Sequence, residues 1–280
     1  MNNPVENFVR SLQFALAILV AFTLVTQSQA IIIRHDKSVS DYRARESRFP
    51  AIFYLERQDV GKICVATLID SQWALTAAHC TTITSLRDTL RDGDKFSVLV
   101  AGKERFIDQL AVHPDYRPDS PGEVDLALLR FSEPLELPRP VMLNTRQDET
   151  GKVVSLVGWG YFGVGTQGRQ FSDGILRMAE NRIQSAGRRL SIQFDDPRQR
   201  GSDVLELEGM PSLGDSGGPA LVREGSEWLL AGVAVGEVMG EGFQEETQGR
   251  YGSIAVYERV SRHVGWIRHT LSEWAAPTSE

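Results

Sequence analysis

The residues of this chain that could make or break a covalent bond gather in few places. The densest is PSLGDSGGPA, residues 211–220, where Asp215 directly precedes Ser216 and Gly214, Gly217 and Gly218 fence the pair. Gly, Ser and Asp also dominate ordinary surface turns. The stretch therefore reads either as a turn or as a built site with Ser216 as a nucleophile. In the second reading the glycines let backbone approach a substrate and Asp215 holds the loop. A serine hydroxyl is weakly nucleophilic and needs an adjacent base, and the base needs an acid to fix its tautomer. Of the five histidines, His79 in WALTAAHC follows a strand-like run, and the small Ala77 and Ala78 leave room beside its ring. Asp125 in EVDLALLRF opens a strongly apolar strand, where a carboxylate is costly unless paired. Taken singly, a histidine after a strand is more often structural and a strand-edge aspartate is usually solvated.

GDSGG also fits the G-x-S-x-G pattern of a nucleophile elbow, which needs a strand before the serine and a helix after it. Here Gly217, Gly218 and Pro219 follow, then another strand-like run. That arrangement also places the acid and histidine after the serine, where only His263 and His269 remain, both in the terminal helical segment. The elbow is rejected.

The elements that must position these groups read as strands. The runs 51–56, 62–69, 95–101, 125–131, 153–160 and 228–236 are rich in β-branched and aromatic residues, with Gly, Pro, Asp and Ser clusters between them. No long amphipathic helix interrupts them, which predicts an all-β sandwich or barrel. Residues 132–151, with Pro134, Pro138 and Pro140, read as the connection between two β units. Over 261–276, Val264, Ile267, Leu271 and Trp274 fall on one helical stripe, with Ser261 as N-cap.

With 280 residues, 41% apolar and 24% charged, the chain has an ordinary globular composition. A net charge of -7 with no long basic run argues against nucleic acid as a partner. The apolar run FALAILVAFTLV at 14–25 is too short for a comfortable membrane span but has the length of a signal-peptide core, and Ser28-Gln29-Ala30 supplies small residues for cleavage. The expectation is a signal peptide over 1–30, a secreted or periplasmic product beginning IIIRHD, and no stable membrane insertion. An uncleaved anchor is the alternative. In an exported chain the two cysteines, Cys64 and Cys80, are expected to form a disulfide. Their C-x15-C spacing, without a second pair, is a poor zinc signal, and two buried thiols are the alternative.

With LTAAHC, DLALL and GDSGGP in that order, the chain resembles the trypsin-like (chymotrypsin-fold) serine proteases over about residues 31–270. C-VATLIDSQWALTAAHC, VHPDY (112–116), VGWG (157–160) and IAVYERVSRHVGWI (254–267) each resemble family segments. The resemblance implies two six-stranded antiparallel β-barrels and a C-terminal helix, with barrel one over about 31–140, barrel two over about 150–260 and the helix over about 261–276. It implies a serine endopeptidase acting on proteins or peptides without cofactor or metal, most simply as a monomer. Ser216 is then the nucleophile, His79 the base and Asp125 its orienting acid, and the N–H groups of Gly214 and Ser216 form the oxyanion hole. His113, in VHPDY, is not catalytic on this reading. The other class left open is a non-catalytic, protease-like binding module.

The chain departs from the family around the substrate pocket. Met210 stands six residues before the serine, where relatives that cut after Lys or Arg carry an aspartate. Ser212 stands where many relatives have a cysteine. Leu213, Ala255 and Glu237 complete the expected pocket, which reads as apolar or small apart from the acid. In the family, a proteolytically freed N-terminus pairs with the aspartate that here is Asp215. This chain offers Ile31-Ile32-Ile33 without the usual glycines. The expected ion pair is Ile31 to Asp215; the alternatives are Arg34 or His35 as the partner, or no pair at all.

Overall fold

The computed structural model describes residues 31–57, 60–118, 120, 123–201, 203–238 and 247–275. The apolar run at 14–25 and the cleavage residues lie outside them. The described chain opens with β1 (Ile31–Ile33). It continues through β2 (Ile52–Arg57), β3 (Gly61–Leu68), β4 (Trp73–Thr76), two short helices α1 (Cys80–Ile83) and α2 (Leu86–Arg91), then β5 (Phe96–Val100), β6 (Lys103–Val112) and β7 (Ala127–Phe131). β2 to β7 pair antiparallel in the order β2-β3-β4-β7-β6-β5, and β2 packs against β5 to close the sheet on itself. Alternation sets the inward face: Phe96, Val98 and Val100 point to the core while Ser97 and Leu99 face out. Phe53 and Phe131, both buried, meet at 5.8 Å between ring centroids.

β8 (Met142–Leu143) lies in the proline-rich connection. Then come β9 (Val153–Gly158), β10 (Tyr161–Val164), β11 (Gly168–Ser172), β12 (Arg177–Ala186), β13 (Arg189–Gln193), β14 (Gly209–Met210), β15 (Pro219–Glu224), β16 (Glu227–Glu237), β17 (Ile254–Arg259) and the helix α3 (Val264–Ala275). Six strands run β15-β9-β12-β13-β17-β16, and a β15–β16 pairing closes the ring. This second barrel, the first barrel and α3 agree with the expected all-β architecture. Among the described residues no helix is long and apolar enough to cross a membrane.

Three features differ from the sequence expectation. β8 adds to the second sheet in parallel with β16. β1, expected to open barrel one, instead lies parallel to β10 and antiparallel to β14 in a separate four-stranded sheet, β11-β10-β1-β14. The reason is burial: all three isoleucines are at most 1% exposed, and a strand apolar on both faces needs cover on both. The helix begins at Val264 rather than after a Ser261 cap, so His263 precedes it. Ser261 lies inside the 3-10 turn Val260–Arg262 that precedes the helix, and its hydroxyl donates to buried Glu149 Oε1 at 2.6 Å.

Glu149 ties the connection to the end of barrel two. Its Oε2 accepts Arg259 Nε at 3.1 Å and Nη2 at 2.6 Å, and Arg259 also donates to the carbonyls of Ala186 and Gly187. Burial raises the cost of ionising Glu149, but Arg259 and Ser261 outweigh it and hold the carboxyl below its ordinary range. Removing one partner strands the other charge. Glu149→Ala is therefore expected to destabilise the fold by roughly 3–5 kcal/mol, measured by urea unfolding. A loss below about 1 kcal/mol would show the cluster to be dispensable.

Candidate active site

β4 carries the chain from Trp73 to Thr76, and buried Ala77 and Ala78 turn it into α1. The turn passes close to the loop that carries Gly217. One carboxylate holds the histidine twice. Asp125 Oδ1 accepts the His79 backbone N–H at 2.8 Å, and Oδ2 faces ring Nδ1 at 2.5 Å. Asp125 is buried, whereas a quarter of the His79 side chain remains exposed. This arrangement places the ring proton on Nδ1 and leaves Nε2 as the available base. His79 Nε2 lies 3.8 Å from Cys80 Sγ, and among the described residues it makes no hydrogen bond to Ser216 Oγ.

Ser216 comes from the other barrel. Its carbonyl accepts the N–H of Val65, on β3, at 2.7 Å. Behind it, Gly217 has φ +78°, and a Cβ there would stand 2.3 Å from Thr76 Oγ1 and from the Val65 carbonyl oxygen. Only glycine allows this approach of the two barrels, three residues before His79. Gly214 has φ +94°, and a Cβ would stand 2.9 Å from Gly160 Cα. Neither the Gly214 nor the Ser216 backbone N–H donates to a protein acceptor among the described residues.

Asp215 points away from Ser216 into the second barrel. Oδ1 accepts Gly160 N–H at 2.7 Å and Oδ2 accepts Ser212 N–H at 2.9 Å. Burial pushes its carboxyl up to about 7, against those two donors and the more distant Arg177 guanidinium. No cation lies within ion-pair distance of it among the described residues. Arg34 pairs with Asp36 at 2.7 Å and donates to the Leu205 carbonyl. His35 bonds the Tyr251 hydroxyl through both its N–H and Nδ1. The two alternative partners for Asp215 are thus engaged elsewhere. Ile31, buried at the start of β1, lies in register with Phe162.

Cys64 and Cys80 form a disulfide. They and His79 converge closely enough to suggest a metal site, but the sulfurs are bonded to each other and offer no thiolate. His113 is buried against Trp266 and His263, at 4.7 and 5.1 Å between ring centroids; its backbone N–H donates to the Leu126 carbonyl, and its ring makes no hydrogen bond to His79, Asp125 or Ser216 among the described residues. Desolvation, then His263, lowers its pKa.

The expected pocket residues divide. Met210 is buried and pairs with Ile32 across β1 and β14. Glu237 and Ala255 face each other in the β16–β17 register. The Glu237 carboxylate accepts Gly249 N–H at 3.0 Å and Ser253 Oγ–H at 2.5 Å, and burial raises its pKa. Leu213 is 46% exposed, and its carbonyl accepts Tyr161 N–H. The buried Ser212 hydroxyl finds no partner among the described residues.

Sequence reasoning missed the acid behind Asp125. Glu258, fully buried on β17, accepts the Asp125 backbone N–H at 3.0 Å. The signal was present: an acid inside the apolar run IAVYERV must have a partner.

Two closed antiparallel barrels followed by a terminal helix define the trypsin-like fold, and the order His79, Asp125, Ser216 across the barrels matches it. The trypsin family model matches residues 38–267, and the chain belongs to this family of serine peptidases. The chain is similar to ovochymase of Halocynthia roretzi, with 28% identity over 222 residues, 75% of this chain. It spans only 13% of that protein's length.

The disulfide closes a short loop, separation 16, directly onto the residue after His79. Replacing both cysteines by alanine is expected to cost roughly 3 kcal/mol, lowering the melting temperature by about 6–12 °C. An unchanged melting temperature would contradict this contribution.

Proposed function

We propose that the chain is an exported serine endopeptidase that hydrolyses peptide bonds through His79, Asp125 and Ser216. The observation that carries this reading is the double grip of buried Asp125 on His79, together with a Gly-Asp-Ser-Gly-Gly turn packed against the strand that leads to His79, in which the Gly214 and Ser216 N–H groups have no protein acceptor among the described residues. Ser216 Oγ attacks the scissile carbonyl while His79 Nε2 takes its proton, and Asp125 stabilises the resulting imidazolium. The Gly214 and Ser216 N–H groups receive the oxyanion, worth roughly 3–4 kcal/mol each in such sites. Collapse of the tetrahedral adduct breaks the C–N bond, and His79 returns the proton to the leaving amine. Water, deprotonated by His79, then attacks the acyl-enzyme and releases the acid and Ser216. The absent Ser216–His79 hydrogen bond fits a resting site, since such bonds often tighten only when substrate arrives.

Met210 supplies no charge for a substrate cation, and the Glu237 carboxylate is already held by two donors. Both argue against selection of Lys or Arg, because an unpaired buried charge is heavily penalised. On a peptide library the wild type is expected to cleave without dominance of Lys or Arg before the scissile bond. Ser216→Ala and His79→Ala should each lose turnover by about 10⁴-fold or more while remaining folded, since the groups act as a unit. Wild-type turnover by Ser216→Ala would end the reading.

The activation step belongs to the same proposal. Cleavage before Ile31 frees an ammonium that pairs with Asp215, and the isoleucine side chains fill the surrounding sheet. Ile31 has φ +62°, a strained value for a β-branched residue, and cutting the preceding bond removes that constraint. The proposal predicts a pH signature. With residues ahead of Ile31, folded Asp215 titrates near 7 against 3.8 when unfolded. Between those values the folded state binds more protons, so stability falls as pH rises from about 4 to about 7. A form beginning at Ile31 supplies the cation, pulls the carboxyl down and loses that decline. Urea unfolding of the two forms across this range tests it, and equal slopes with equal activity would contradict the ion pair.

A further inference from the structure

We infer that Glu258 is a positioning residue for Asp125, clamping the acid of the triad onto the second barrel. The inference rests on the catalytic reading above. Asp125 sits just before β7 of barrel one, yet its backbone N–H donates across the barrel interface to Glu258 Oε1 at 3.0 Å. The same oxygen accepts Arg189 Nε at 2.7 Å and lies 2.6 Å from Nη2. Arg189 and Glu258 are register partners of β13 and β17, so the sheet itself sets this pair. Glu258 Oε2 faces His263 Nε2 at 3.7 Å.

The clamp takes a second hold two residues upstream. The Glu123 carbonyl accepts Arg189 Nη2 at 3.3 Å and also Arg188 Nη1, and the Glu123 carboxylate lies 3.6 Å from Arg189. The segment 123–125 is thus fixed by barrel two at both ends, while its side chain Asp125 fixes His79 of barrel one. Ser216 belongs to barrel two. Glu258 therefore sets where the acid and base stand relative to the nucleophile. A fully buried carboxylate is a costly way to accept one N–H. What the charge adds is Arg189, which locks the Glu258 side chain in one direction. Desolvation opposes ionisation of Glu258, but His263, the Asp125 N–H and Arg189 hold its pKa below the ordinary value.

Three variants of the full chain separate positioning from simple support. Glu258→Leu removes the acceptor at similar volume. Glu258→Gln keeps an acceptor oxygen without charge. Glu258→Asp keeps the charge and withdraws the acceptor by one methylene. Steady-state kinetics on one peptide substrate should show kcat reduced about tenfold to a hundredfold in the Leu and Asp variants, with KM within about twofold, because the displaced group acts on chemistry and not on binding. Glu258→Gln keeps the acceptor but loses the charge that draws Arg189, so its kcat should fall between the wild type and the Asp variant. Should Glu258→Leu fail to fold, the contrast between Asp and Gln answers the same question. Wild-type kcat in folded Leu or Asp variants would overturn the inference, as would equal losses in Gln and Asp. An active wild type with such variants unaffected refutes the clamp alone. A wild type no more active than Ser216→Ala refutes the catalytic reading and the clamp with it.

Discussion

The buried carboxylate of Asp215 is the constraint from which the geometry of the serine loop follows. A carboxylate removed from water must find donors, and here the donors are two backbone N–H groups, of Gly160 and Ser212. Meeting them fixes the path of residues 212–215 against the chain after β9. A Cβ on Gly158 would stand 2.0 Å from Asp215 Oδ1, and one on Gly160 would stand 2.6 Å from Asp215 Cγ. The two glycines therefore leave the space that the acid fills. With Asp215 anchored inward, Ser216 is turned outward and the Gly214 and Ser216 N–H groups stay free of the loop's own hydrogen bonds. The anchor is incomplete on energetic grounds, since two N–H donors do not offset burial and the carboxyl titrates near 7. That deficit is what a nearby ammonium would remove.

A site divided between two barrels also needs the barrels held in register with each other. Polar contacts across the interface do this at both faces. Val65 of barrel one donates to the Ser216 carbonyl, and Asp125 donates to Glu258 of barrel two. Gly217 lets the nucleophile loop touch Thr76, whose hydroxyl donates to the Val65 carbonyl at 2.7 Å. The apolar cores supply the bulk of the stability, but they are non-directional. These few directional bonds fix how the loop carrying Ser216 and the segment carrying Asp125 sit between the barrels.

Much of this was legible in the sequence because each motif carries its own local signal. Runs rich in β-branched and aromatic residues at 95–101, 125–131 and 153–160 marked strands, and β5, β7 and β9 lie within those windows. His79, Asp125 and Ser216 stood out through their unusual neighbours. What the sequence hid depends on partners distant in the chain. Ile31, Ile32 and Ile33 carry no register of their own, and their sheet exists only because β10 and β14 come together from residues over a hundred positions away. Ser261 looked like a cap because a cap is a local device, whereas its real partner, Glu149, is 112 positions upstream. The acid in IAVYERV signals that a partner must exist, but nothing local names Arg189 or Asp125 as that partner; the pairing of β13 with β17 and the contact between the barrels do. The pocket was the least legible part, because Met210 is turned into the β1 interface and Glu237 is consumed by Gly249 and Ser253.

The central claim is that Ser216 is a nucleophile activated by the folded site. Reaction of the folded protein with a fluorophosphonate, followed by peptide mapping, tests it most directly. The hydroxyl oxygen displaces fluoride at phosphorus, so one adduct is expected per chain, on the peptide containing Ser216. The adduct should be lost when the protein is first unfolded in urea. Absence of labelling in a folded sample beginning at Ile31, or labelling spread over other serines, would contradict the account.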